Sequence, residues 1–252
     1  MFEIMLLLIA GFAGGVVNAV AGGGKLLVLP ALVAAGLSPL GANITASVVL
    51  LPGATASVWQ YRHKLAQMPR KYFWILVPCY TGAVGGMVAL QHTGSDTFDK
   101  LAPWLILVAV VLFALQPLLH KQLNHPLQKY PRKSLPVIAL LLLLLAVYGG
   151  YFGGGFGLVF MALLGFTHLK NVYQLAGLKN MAAAGMELLG VVYFSVAGGI
   201  DWRTGLIAMV GCFFGGIAGA HWSLKLRQHW LRVVIIAIGS ALAVAAFVRA
   251  YG

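Results

Sequence analysis

The chain has 252 residues, 61% of them hydrophobic and only 9% charged, with 17 Lys+Arg against 5 Asp+Glu and a formal net charge of +12. A soluble domain carries about 25% charged residues, so this chain lacks the polar groups to cover a water-facing surface, and a soluble enzyme is excluded. The basic residues fall between apolar runs, which reads as orientation in a bilayer rather than nucleic-acid binding.

In chain order, apolar runs cover 5–21, 26–37, 44–59, 72–90 and 101–119, then 136–152, 157–166, 181–196, 204–222 and 231–250. A spanning helix needs roughly 20 apolar residues, and most runs reach that once their flanks are included. The runs 26–37 and 157–166 are too short to cross. Each follows a triple glycine, Gly22-Gly23-Gly24 or Gly153-Gly154-Gly155, and such triplets permit sharp reversals. Each long-plus-short pair therefore reads as a broken helix or a hairpin. Cys79 and Cys212 both lie inside apolar runs and build no disulfide framework. The N-terminus has neither the basic stretch nor the cleavage site of a signal peptide and is expected to stay.

The correspondence of the two triplets points to an internal repeat. Gly22–Leu32 lies over Gly153–Leu163, Cys79 with Gly82 and Gly86 lies over Cys212 with Gly215 and Gly219, and Asn43 and Asn180 follow the two triplets. We expect a first transmembrane repeat at 1–120, a basic cytoplasmic linker at 121–133 with Lys121, Lys129, Arg132 and Lys133, and a second repeat at 134–252. Loop charges set the topology. Arg62, Lys64, Arg70 and Lys71 crowd one first-half loop, whereas in the second half the basic loop is the following one, with Lys225, Arg227 and Arg232. Basic loops face the cytoplasm, so the bias alternates and the copies should be inverted. That requires three full crossings plus one entering-and-returning hairpin in each half. The expected fold is an all-α integral membrane protein of two inverted repeats, with both termini outside the cytoplasm.

Inverted repeats with interrupted helices are a transporter architecture, the site lying near the midplane where the breaks meet. Helix N-termini and exposed backbone N–H groups favour an anion there. Gly23, Gly24, Gly154 and Gly155 are candidate backbone donors, Asn43 and Asn180 candidate side-chain donors, and Asn18 a further one. Asn43 and Asn180 would equally serve as helix caps. Lys25 and Lys179 supply positive charge. A lysine deep in the bilayer needs a partner, so Lys25 either meets an anion or snorkels to the interface. Glu187, the single acid well inside an apolar run, either carries a coupling proton or pairs with Lys25 or Lys179. The histidines show no metal-ligand spacing, and neither a serine-hydrolase elbow nor a P-loop is present. No cofactor, metal or enzymatic reaction is expected. An anion channel is the alternative to a carrier.

These residues resemble a known family. Asn18-Ala19-Val20-Ala21-Gly22-Gly23-Gly24, Pro30-Ala31-Leu32 and Ala42-Asn43 are similar to the first-half signature of the sulfite exporter TauE/SafE family of membrane transporters. Gly150-Tyr151-Phe152-Gly153-Gly154-Gly155, Leu178-Lys179-Asn180 and Gly199-Ile200-Asp201-Trp202 are similar to its second-half signature. The resemblance implies a multi-pass protein of a bacterial inner membrane. It implies secondary transport of sulfite, sulfoacetate or another organosulfonate with proton coupling, a small carboxylate being the alternative load. Lys25 and Glu187 depart from the family pattern, which has small or uncharged residues there.

Overall fold

The structure is a computed structural model that describes residues 1–115, 135–165, 171–222 and 228–251. The linker lysines and arginine, together with Lys225 and Arg227, lie outside the described residues. The first half contains α1 (Phe2–Ala21), α2 (Lys25–Ala34), α3 (Pro39–Val49), α4 (Leu51–Ala66), α5 (Leu76–Gln91) and α6 (Ser95–Ala114). A 3₁₀ turn at Arg70–Ile75 leads into α5. The second half contains α7 (Leu135–Tyr151), α8 (Phe156–Gly165), α9 (Val172–Ala197), α10 (Trp202–Trp222) and α11 (Gln228–Tyr251). Among the described residues there is no strand, and seven stretches are long and apolar enough to cross a membrane. Their outward faces carry Ile9, Phe12, Val192, Val210, Phe214 and Val244, all exposed. Helices apolar on every side suit lipid, not water.

The breaks form where glycine permits them. α1 ends at Gly22, whose φ of 75° is left-handed and whose N–H donates back to the Val17 and Asn18 carbonyls, the usual glycine stop. α2 starts three residues later. α7 ends the same way, with Gly153 at φ 89° donating to the Tyr148 carbonyl. Asn43 and Asn180 do not cap helices, against one of the sequence expectations. They sit inside α3 and α9. Ser38 caps α3, its Oγ accepting from Gly41 N at 3.1 Å ahead of Pro39. Asn171 caps α9, accepting from Tyr173 N at 3.0 Å. The apolar run at 181 therefore continues a helix already two turns old.

Contacts between helices set their directions. α1 runs beside α10 in the same sense: Gly211 sits against Leu8, Gly215 against Phe12 and Gly219 against Val16, and a Cβ at any of these glycines would run into α1 backbone. α5 and α7 pair likewise, Gly82 against Leu143 and Gly86 against Val147. Small residues let backbones approach this closely in lipid. The two seams are counterparts, because Leu143 and Val147 match Phe12 and Val16 at the offset that carries Gly22 onto Gly153. α4 lies parallel to α10, with Gly53 beside Cys212 and Gln60 Nε2 donating to the Ile217 carbonyl at 2.7 Å. α5 lies parallel to α9, Tyr80 Oη donating to the Met181 carbonyl and Gln91 Nε2 to the Ala197 carbonyl, each at 3.2 Å. α4 and α9 oppose one another, Lys64 meeting Gln174 and Tyr61 meeting Gly177. α6 and α11 also oppose, with Tyr251 Oη donating to the Lys100 carbonyl and Val110 beside Gly239. Thus α1 and α7, α4 and α9, α5 and α10, and α6 and α11 run in opposite senses. Phe2 and Tyr251 end on one side, Ala114 on the other.

At the α9–α10 turn, Asp201 Oδ1 accepts from both the backbone N–H and the hydroxyl of Thr204 at 2.9 Å. These donors hold its carboxyl below the usual carboxylate range. Asp201→Ala is expected to cost about 0.5–2 kcal/mol, the usual worth of such a cap. A depressed folded-state pKa stabilises above the unfolded value and is lost as pH falls through the folded one. Thermal melts of parent and variant should therefore differ at pH 7 and converge in acid.

Candidate functional site

The two glycine breaks touch. A Cβ built on Gly22 would lie 2.5 Å from the Gly157 Cα, and one on Gly157 would lie 2.7 Å from the Gly22 Cα. Beside this contact is a cavity of about 60 Å³ lined by polar groups from both halves, among them Asn18, Lys25, Ser47, Lys179 and Glu187. At about 10–15 Å³ for each water held, it has room for some four waters or one small ion.

Lys25 opens α2 and is buried, with 3% of its surface exposed. It therefore does not snorkel. Its Nζ donates to Ser47 Oγ at 2.7 Å and lies 5.7 Å from the Phe152 ring centroid. Ser47 in turn donates to the Asn43 carbonyl one turn earlier at 3.0 Å. An ammonium carries three donors, so Lys25 has hydrogen-bonding capacity beyond Ser47.

Lys179 has a different job. Fully buried, it donates to the Asn18 and Ala19 carbonyls at 2.7 and 2.8 Å. These belong to the last turn of α1, where the Asn18 carbonyl also accepts from the Gly22 N–H, and a cation suits that helix end. Asn180 Nδ2 also reaches the Ala19 carbonyl, at 3.4 Å, and Asn43 Nδ2 reaches the Tyr151 carbonyl at 3.0 Å. Each half's asparagine thereby grips the end of the other half's broken helix. Both Oδ1 atoms are buried without a hydrogen-bond partner.

Glu187 shares the cavity-facing side of α9 with Lys179, Ala183 and Met186, as i, i+4, i+7 and i+8 spacing dictates. Its Oε1 accepts from Asn18 Nδ2 at 3.2 Å, and its Oε2 is buried without a partner. Both lysines lie within electrostatic range.

The glycines fall differently from the sequence expectation. Gly23 packs on the Phe113 ring, Gly24 against the Gly14 carbonyl, Gly154 against the Phe152 ring and Gly155 beside Leu112. None of these four is among the cavity-lining residues, which instead include Gly22, Gly149, Gly150, Gly153 and Gly157. Ser47 was missed as well. Its one sequence signal is its position four residues after Asn43.

The polar groups are also asymmetric. When the triplets and the two asparagines are superposed, Lys25 falls on Phe156, Lys179 on Ala42, Glu187 on Leu50 and Asn18 on Gly149. The glycine triplets and asparagines recur in both halves, whereas the charges do not.

A family model described as the sulfite exporter TauE/SafE matches residues 7–246. The chain belongs to the TauE/SafE family. As a member it is a multi-pass bacterial membrane transporter and not an enzyme. It is 26% identical over 242 residues to the "Probable membrane transporter protein YfcA" of Escherichia coli strain K12, covering 94% of this chain and 87% of that protein. A "Probable membrane transporter protein" of Haemophilus influenzae is 28% identical over 238 residues, covering 92% and 90%. A third relative, "Probable membrane transporter protein ORF9" of a Sinorhizobium species, is 25% identical over 244 residues, covering 96% and 91%. No solved structure matches the chain.

Proposed function

We propose that this TauE/SafE protein is a secondary active transporter of small sulfur-containing anions such as sulfite, sulfoacetate or another organosulfonate. It works by alternating access in a bacterial inner membrane and is coupled to protons. The observation that carries this reading is Lys25, a buried ammonium with donors to spare, facing a small cavity where the two breaks abut. A buried cation without a carboxylate in contact calls for an anion. The opposed directions of counterpart helices support an inverted repeat, in which one half rocks against the other around a fixed site. Glu187, with one free carboxylate oxygen beside the cavity, is the place for the proton. Asn18 and Ser47 complete the anion's surroundings, while Lys179, Asn43 and Asn180 hold the breaks in position.

Counterflow in liposomes tests the reading. A carrier loaded with unlabelled sulfite or an organosulfonate transiently accumulates labelled anion and saturates, whereas a channel accumulates none. Absence of counterflow for every sulfur anion and small carboxylate would remove the carrier. Topology gives a second check. Reporter fusions at residue 252 and near residue 130 should report opposite sides, the linker inside, and the same side for both would sink the inverted arrangement.

A further inference from the structure

Three ionisable side chains line the cavity, the ammonium groups of Lys25 and Lys179 and the carboxylate of Glu187, and their formal charges sum to +1. Passing a proton between Glu187 and either lysine leaves that sum unchanged. Among the described residues, the other groups facing Glu187 are neutral: the Asn18 amide from α1, Met87 from α5, the glycines of α7, and the Cys212 thiol from α10. Lys25 and Lys179 are buried in the protein interior, so a charge left over beside them is only weakly offset by bulk water. We propose that the cavity selects its load by net charge, holding a monoanion as it stands and a dianion only together with one proton taken from solution by the Glu187 carboxylate. The inference rests on the cavity being the anion site, and it assigns Glu187 a selective role: it cancels one lysine. Lys179 is tied to the α1 carbonyls and Lys25, among the described residues, to Ser47 alone, so Lys25 meets the anion while Glu187 sets how much negative charge it tolerates. The proton, when it is taken up, sits on the free Oε2 and gives the anion a further donor.

Methanesulfonate and sulfate are suited probes, because they are nearly the same size and differ by one unit of charge. Titration calorimetry on the purified protein at pH 8, repeated in buffers of different ionisation enthalpy, counts protons taken up for each anion bound. The parent should bind methanesulfonate at least tenfold more tightly than sulfate, with uptake near zero for methanesulfonate and near one for sulfate. Glu187→Gln raises the sum to +2 and should shift the affinity ratio at least tenfold towards sulfate, with its proton uptake gone. Equal proton uptake for both anions in the parent would overturn the proposal, and that measurement needs no variant to fold. An unchanged ratio in Glu187→Gln would overturn it too. Those outcomes leave the anion site standing. If neither anion binds, or if binding is indifferent to Lys25→Met, the transport-site reading itself fails.

Discussion

Replacing Lys25 with methionine is expected to weaken binding of the preferred anion by about 10- to 150-fold, since a hydrogen bond to a charged group is worth about 1.5–3 kcal/mol and 1.4 kcal/mol is a factor of ten. Methionine keeps the length of the stem and removes the charge. Counterflow should fall to background at micromolar anion. Thermal stability should change little, because Ser47 still donates to the Asn43 carbonyl and no contacting carboxylate is stranded. The measurement is a pair of curves, anion-induced melting shift and liposome exchange, on parent and variant. Unaltered affinity would make Lys25 a packing residue and would move the anion site elsewhere. The same substitution at Lys179 should behave in the opposite manner. It removes the charged donor that holds the Asn18 and Ala19 carbonyls at the end of α1, so stability falls before binding is affected.

Gly22→Val is expected to prevent folding. Two costs add there. The left-handed φ of 75° is strained for a β-branched residue, and the new Cβ would sit 2.5 Å from the Gly157 Cα, backbone that cannot swing aside. Strain of about 1–3 kcal/mol with overpacking of about 1–3 kcal/mol approaches the whole stability of a typical domain. Gly36→Val provides the control. Its φ is 98°, equally unfavourable, but nothing lies within 4 Å of the added Cβ. Detergent melts should show Gly36→Val folded with a lowered midpoint and Gly22→Val unfolded or absent from the membrane. A normally folded Gly22→Val protein would mean that the two breaks need not touch.

Membrane residence and the places where the helices break are written locally, and both can be read from the chain alone. A run of apolar residues has one stable home, lipid, whatever its neighbours do, and a glycine triplet ends a helix without help from elsewhere. Gly22 and Gly153 stop α1 and α7 where the triplets begin. The family signature is equally local, carried by Asn18–Gly24 and Gly150–Gly155. Burial decided the rest. A triplet says that the chain turns, but the direction in which each glycine faces depends on what packs there, so Phe113 covers Gly23 and Phe152 covers Gly154, while Gly22 and Gly153 are left facing the cavity. The two lysines look alike in sequence, each deep in an apolar region. They separate only when α1 brings its C-terminal carbonyls to Lys179 and α3 brings Ser47 to Lys25. Asn43 and Asn180 read as caps because a cap is a local solution, whereas their partners, the Tyr151 and Ala19 carbonyls, come from the opposite half of the chain. Periodicity specifies which face of a helix is polar, but the groups that meet that face are set by helix packing alone.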